Sequence, residues 1–170
     1  MQHSGELMSF IPKQVNLLPE IPQYSAIMKT MLTALKQGQL KIVAGRIIGK
    51  IKAKQFDRKN RLEHSYVSIE YSHKYTVKVL PIITEKEYDV AISFLTPHYI
   101  VRDKVKAKKK IAWIHTDYSY LNLDVESELK MWQAYDNIIS ISNDVTDAFL
   151  SKFPSLKDKI VLIENISSNR

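Results

Sequence analysis

YDVAISFL (88–95), KIAWIHT (110–116), NIISIS (137–142) and IVLIEN (160–165) decide the fold. Each is a short run of β-branched or aromatic residues following a charged or turn-like stretch, the composition of a strand buried inside a sheet. Between them lie PHYIVRDKVKA (97–107), LDVESELKMWQAY (123–135) and NDVTDAFLSKF (143–153), which carry helical spacing. Strands and helices alternating at this interval predict an α/β fold: a Rossmann-like parallel sheet with right-handed crossovers, flanked by helices. QVNLLPE (14–20) is a candidate further strand of the same sheet.

Toward the N-terminus the grammar changes near Glu85. Val67, Ile69, Tyr71, Tyr75, Val77 and Val79 alternate as in a strand, yet residues 66–80 lack Gly or Pro punctuation before Pro81, and the topology favours a helix; both readings stay open. Upstream, Tyr24, Ile27, Met28, Met31, Leu32 and Leu35 follow helical spacing, which returns as Leu40, Val43, Ala44, Ile47, Ile48 and Ile51. This predicts a helical hairpin over 22–61, hinged at Gly38, with apolar stripes on the core and a solvated basic face.

Between Ile21 and Arg61 stand ten Lys/Arg against the single acid Asp57, a local +9 within a chain of net +7. Such a segment suits a nucleic acid or an anionic membrane surface. Only Tyr24 and Phe56 interleave aromatic rings with those charges, which disfavours nucleic acid, where bases need stacking platforms. Apolar stripes beside Arg46, Lys50, Lys52 and Lys54 fit a membrane interface wherever the core does not use them.

The 170 residues match one domain, and 45% hydrophobic with 25% charged residues is a globular mixture. The absence of cysteine excludes disulfides, thiolate metal sites and cysteine nucleophiles. No glycine follows Gly49, so the chain has no G-x-G-x-x-G or P-loop cradle in its strand–helix half. No apolar run nears the roughly 20 residues that span a bilayer, and MQHSGELMSF lacks the features of a signal peptide. The expected location is cytoplasmic, peripheral at the inner face of a membrane.

Ligands of open parallel sheets bind beyond the carboxyl ends of the strands. There the sequence offers Ser93, Thr96 and His98, then His115, Thr116 and Asp117, then Ser142 and Asn143. Ser142, Asn143 and Thr96 are also natural helix starters. His115 leaves the apolar run Ile111–Ile114 where a site belongs, with Asp117 as a candidate partner, so it is the candidate catalytic residue. His3, His64, His73 and His98 show no metal-ligand spacing, and Glu126 and Glu128 read as solvated helix charges. No G-x-S-x-G elbow or Ser-His-Asp order supports hydrolysis.

The blocks YDVAISFLTP (88–97), KKKIAWIHTDY (108–118), YDNIISIS (135–142) and FPSLKDKIVLIENI (153–166) together resemble the N-terminal domain of family 4 glycosyltransferases, retaining enzymes of GT-B architecture. HSGELMSFIPKQVNLLPE (3–20) resembles the stretch after their second Rossmann strand. The resemblance implies a partial, acceptor-side domain over 1–166, with 167–170 opening the interdomain linker. It also implies transfer of a sugar from a nucleotide-sugar donor to a saccharide or lipid-linked acceptor in polysaccharide or glycan biosynthesis, without a metal or other cofactor. His115 matches the histidine near donor sugar and acceptor; Ser93, Thr96, Thr116, Asp117, Ser142 and Asn143 are the accompanying substrate-binding candidates. The family's opening strand, glycine-rich loop and helix, and its C-terminal donor domain with paired glutamates, have no counterpart here. By that reading the 170 residues alone are an inactive fragment. The alternative is a non-enzymatic basic α/β module that binds nucleic acid or an anionic membrane.

Overall fold

The computed structural model describes residues 5–63 and 65–165. The expected linker at 167–170, together with His3 and His64, lies outside them. Short helices α1 (Pro22–Ala26) and α2 (Met31–Lys36) lead into α3 (Leu40–Asn60) and α4 (Val67–Lys78). There follow β1 (Glu87–Ser93), α5 (Tyr99–Lys104), β2 (Lys106–Ile114), α6 (Val125–Trp132), β3 (Asn137–Ser140), α7 (Asn143–Lys152) and β4 (Ile160–Leu162), with 3-10 turns at Glu6–Phe10 and Pro154–Lys159.

All four strands are parallel, in the order β1-β2-β3-β4. Ser93, Ala112, Ile138 and Ile160 stand side by side across the sheet. Because side chains alternate between faces, these residues share one face, and there Ala112, Ile114 and Ile138 pack with Tyr99, Met131, Trp132 and Phe149 of the three crossover helices. Asp124 caps α6 by accepting from Ser127 N at 3.1 Å, and Ser142 caps α7 by accepting from Val145 N at 3.2 Å.

The other face is largely exposed among the described residues, although Ile139 in β3 is buried there. Val90, Ile92 and Phe94 in and beyond β1, Trp113 in β2, and Val161 and Ile163 in and beyond β4 stand there, with Ile92 53% exposed. Parallel sheets ordinarily carry helices on both faces, so this surface is incomplete as a core. Residues 14–20 form no strand; Asn16 and Leu18 instead line a groove of about 460 Å³ beside Tyr88, Val90 and Ile92 of the edge strand. Pro19 and the absence of paired backbone there leave β1 as the edge.

The helical half departs from the expected hairpin in three ways. The first expected helix breaks at 27–30, where Thr30 starts α2 by accepting from Thr33 N at 3.2 Å. Residues 66–80 resolve as helix, and the close antiparallel partner of α3 is α4. The stripe of Leu40, Ile47, Ile48 and Ile51 points to solvent, while Ile42, Gly45, Gly49 and Ala53 are buried. At 100° per residue the two sets lie on opposite sides of α3. Two glycines let the helix backbones approach: a Cβ added at Gly49 would sit 2.7 Å from Tyr71 O, and one at Gly45 would sit 3.0 Å from Thr76 Cα. Small residues spaced by four outweigh an apolar stripe because they permit this close contact.

Candidate functional site

Beyond the carboxyl ends of β1 and β2, the chain builds a polar cluster from four segments. Ser93 ends β1 on the helix-covered face, and its Oγ lies 2.9 Å from His98 Nδ1. The loop between them contains a cis Thr96–Pro97 peptide. Thr96 Oγ1 lies 3.5 Å from Nδ1 of His73, which α4 brings to the site. Trp132 packs at a tilt against His98 with centroids 4.8 Å apart, and the Tyr135 hydroxyl donates to the His98 carbonyl.

His115 follows β2. Its ring meets Phe94 edge-on with centroids 4.6 Å apart, and its buried Nε2 has no hydrogen-bond partner. Its hydrogen-bonding capacity is therefore unused among the described residues. Burial holds His98 and His73 down at about 4, assisted by His115 and His73 for the former and by Arg46 for the latter. Both are neutral at pH 7 and act as hydrogen-bonding groups.

Thr96 and Thr116 rim a cavity of about 40 Å³ that reaches inward past His73 and His98 to Glu70 and Glu128. Glu70 (on α4) is 2% exposed and Glu128 (on α6) 6%. Glu128 accepts from the Tyr99 hydroxyl at 3.2 Å. Glu70 Oε2 accepts from Asp124 N at 3.4 Å, and its Oε1 has no partner. Burial raises both carboxyls above their ordinary range, and for Glu70 the neighbouring Glu128 adds to it. Two neighbouring carboxyls in a buried site hold on to a proton.

Of the residues expected from sequence, Thr96 and Thr116 line this cavity and Ser93 bonds His98 beside it, whereas His115 is not among its lining residues and packs on Phe94. Asp117 does not reach His115: its exposed Oδ1 accepts from Ser119 N at 2.8 Å in a turn, and these bonds to Ser119 hold its carboxyl below the usual range. Ser142 is occupied in capping α7, and Asn143 is exposed on the first turn, outside the cavity. The expectation that Glu128 is solvated is overturned, because Tyr99 and the α6 packing enclose it; Glu126 is exposed and pairs with Lys130 at 2.5 Å. Glu70 and His73 were not singled out by pattern. Only their placement on α4, well before β1 in sequence, brings them here.

Among the described residues, no three His, Asp or Glu side chains converge as a metal-ligand set, and no helix is long and apolar enough to cross a membrane. No protein-family model, curated protein or solved structure matches the chain. The class that the coordinates define is an α/β protein with a Rossmann-like, four-stranded all-parallel sheet flanked by helices, joined to the α3–α4 pair.

Proposed function

We propose that the chain is the acceptor-side part of a retaining, GT-B-type glycosyltransferase that moves a sugar from a nucleotide-sugar donor to a saccharide or lipid-linked acceptor. The observation that carries this reading is His115. It follows a strand's carboxyl end with a buried Nε2 that has no partner among the described residues, and it lies near His98, whose cavity is lined by the neutral hydrogen-bonding groups of Thr96, Thr116 and His73. Such a lining suits a polyhydroxylated ligand. In the reaction, His115 hydrogen-bonds the transferred sugar and stabilises charge that develops as the glycosidic bond to the nucleotide breaks. The nucleotide is held by further polypeptide. The apolar sheet face around Ile92, Trp113 and Val161 supports a chain that works against such polypeptide.

The reading also places the chain at a membrane. Leu40, Ile47, Ile48 and Ile51 form an exposed stripe on α3, flanked by Lys41, Lys50, Lys52 and Lys54, the pattern of an interfacial helix. Nucleic acid is the weaker partner: Tyr24 is buried with its hydroxyl on Pro81 O at 2.6 Å, and Phe56 packs edge-on to Tyr71. The test is His115→Ala in the enzyme assembled with its donor-binding part. The expected result is a kcat roughly 10²-fold lower with an unchanged melting temperature, the size of loss for one oriented polar group. Unchanged kcat with a lower melting temperature refutes the role.

A further inference from the structure

Three hollows meet around Ile27, His73 and Thr96. The polar cavity shares His73 with a notch of about 290 Å³ and Thr96 with a groove of about 400 Å³, and notch and groove share Ile27. The notch is cationic. Arg46 and Lys50 line it together with Ser68 and Ser72, and no acidic residue does so among the described residues. The Arg46 guanidinium is held rigidly by the backbone carbonyls of Ala26, Ile27 and Lys29. Those acceptors are neutral, so its charge is not cancelled. Lys50 Nζ has only the Met31 sulfur, at 3.8 Å, and neither cation makes an ion pair among the described residues. A fixed guanidinium, a free ammonium and two hydroxyls are the groups that bind phosphate.

The groove is apolar. Ile92, Phe94, Leu95, Ile100 and Val101 line it, with Met28 at its mouth 84% exposed. Its size falls within the range of about 300–1,000 Å³ typical of small-ligand sites. The polar side chains in its wall are already engaged, Ser93 on His98, Tyr24 on Pro81 O and Thr96 on His73. A peptide would bring backbone groups that find no partners there, whereas a hydrocarbon chain needs none. Inorganic phosphate alone would leave the groove wet.

We propose that notch and groove bind one amphiphile, a lipid whose phosphate lies between Arg46 and Lys50 and whose hydrocarbon chain runs along Ile92, Phe94 and Leu95. Ile27 lines both hollows, so the two parts adjoin. The inference deepens the lipid-linked-acceptor reading and rests on it for what the phosphate carries. Binding itself is measurable without any transfer reaction.

The test is calorimetric titration of the full chain with dodecyl phosphate below its micelle concentration. Saturable one-to-one binding is expected, at least tenfold tighter than that of inorganic phosphate or of dodecyltrimethylammonium. Lys50→Glu should weaken it at least tenfold. Leu95→Asp, at an exposed position, should weaken dodecyl phosphate binding and leave inorganic phosphate binding unchanged. Ile48→Asp, on the outer stripe, should leave dodecyl phosphate binding intact. Equal affinity for inorganic phosphate, equal affinity for the cationic amphiphile, retention in Lys50→Glu, or loss in Ile48→Asp would each overturn the proposal. If dodecyl phosphate binds as expected and no sugar is ever transferred, the lipid-phosphate site stands and the transferase reading falls.

Discussion

Replacing Gly49 by alanine tests the contact that orients the helical half. The added Cβ would lie 2.7 Å from Tyr71 O and 2.8 Å from both Ser72 N and Ser72 Cα. Ordinary contact begins near 3.4 Å, and these are backbone atoms that no rotamer change moves aside, so α3 and α4 must separate by about 0.7 Å. Overpacking of this kind costs about 1–3 kcal/mol, and the tightness and rigidity of the contact put it at or beyond the upper end. Alanine gains about 1 kcal/mol of helix propensity over glycine. The net expectation is a loss of about 2 kcal/mol, which for a chain of this size lowers Tm by about 4–8 °C. Gly45→Ala meets its neighbours at 3.0 Å rather than 2.7 Å and should come out close to neutral. Ala44→Gly, on the exposed side of the same helix, should lose about 1 kcal/mol through propensity alone. Scanning calorimetry of the three variants decides the matter. A Gly49→Ala protein that melts above the wild type would refute the close-packing argument. Because α4 carries Glu70 and His73, the Gly49 variant should also shift the His73 ring resonances.

Two further outcomes follow from buried charge and surface charge. His73 and His98 have folded-state values depressed to about 4, so their contribution is present above the unfolded value near 6.5 and is lost as pH falls toward 4; for His98 that loss is about 3 kcal/mol. Glu70 and Glu128 have raised values, so their contribution is present below the ordinary carboxyl range and is lost as pH rises through the folded values. Urea titrations across pH 4–9 should therefore show stability declining on the alkaline side of neutrality, and Glu70→Gln should be more stable than wild type at pH 9 but not at pH 4; an equal difference at both pH values would contradict the buried dyad. Vesicles with anionic lipid should sediment the chain at low salt and release it as salt screens the lysines, and changing Lys50, Lys52 and Lys54 to Glu should abolish the effect. Co-sedimentation that ignores salt or those charges would remove the interfacial role.

Four β-branched runs at crossover spacing specified the parallel sheet, because a strand's preference for β-branched and aromatic residues is local and the intervening helices announce themselves by period and caps. Ser142 marks a helix start for the same local reason. Three other outcomes needed the folded chain. Periodicity placed Leu40, Ile47, Ile48 and Ile51 on one face of α3 but carried no information on whether that face meets the core. The glycines on the opposite face decided it, since only they admit the α4 backbone. The same contact made residues 67–78 a helix where alternation left the choice open. Glu70 and Glu128 lie on separate helices far apart in sequence, and each has the local surroundings of a solvated charge. Their shared cavity, and the meeting of Arg46 and Lys50 with an apolar groove, arise from packing between segments, and no stretch of sequence read locally encodes it.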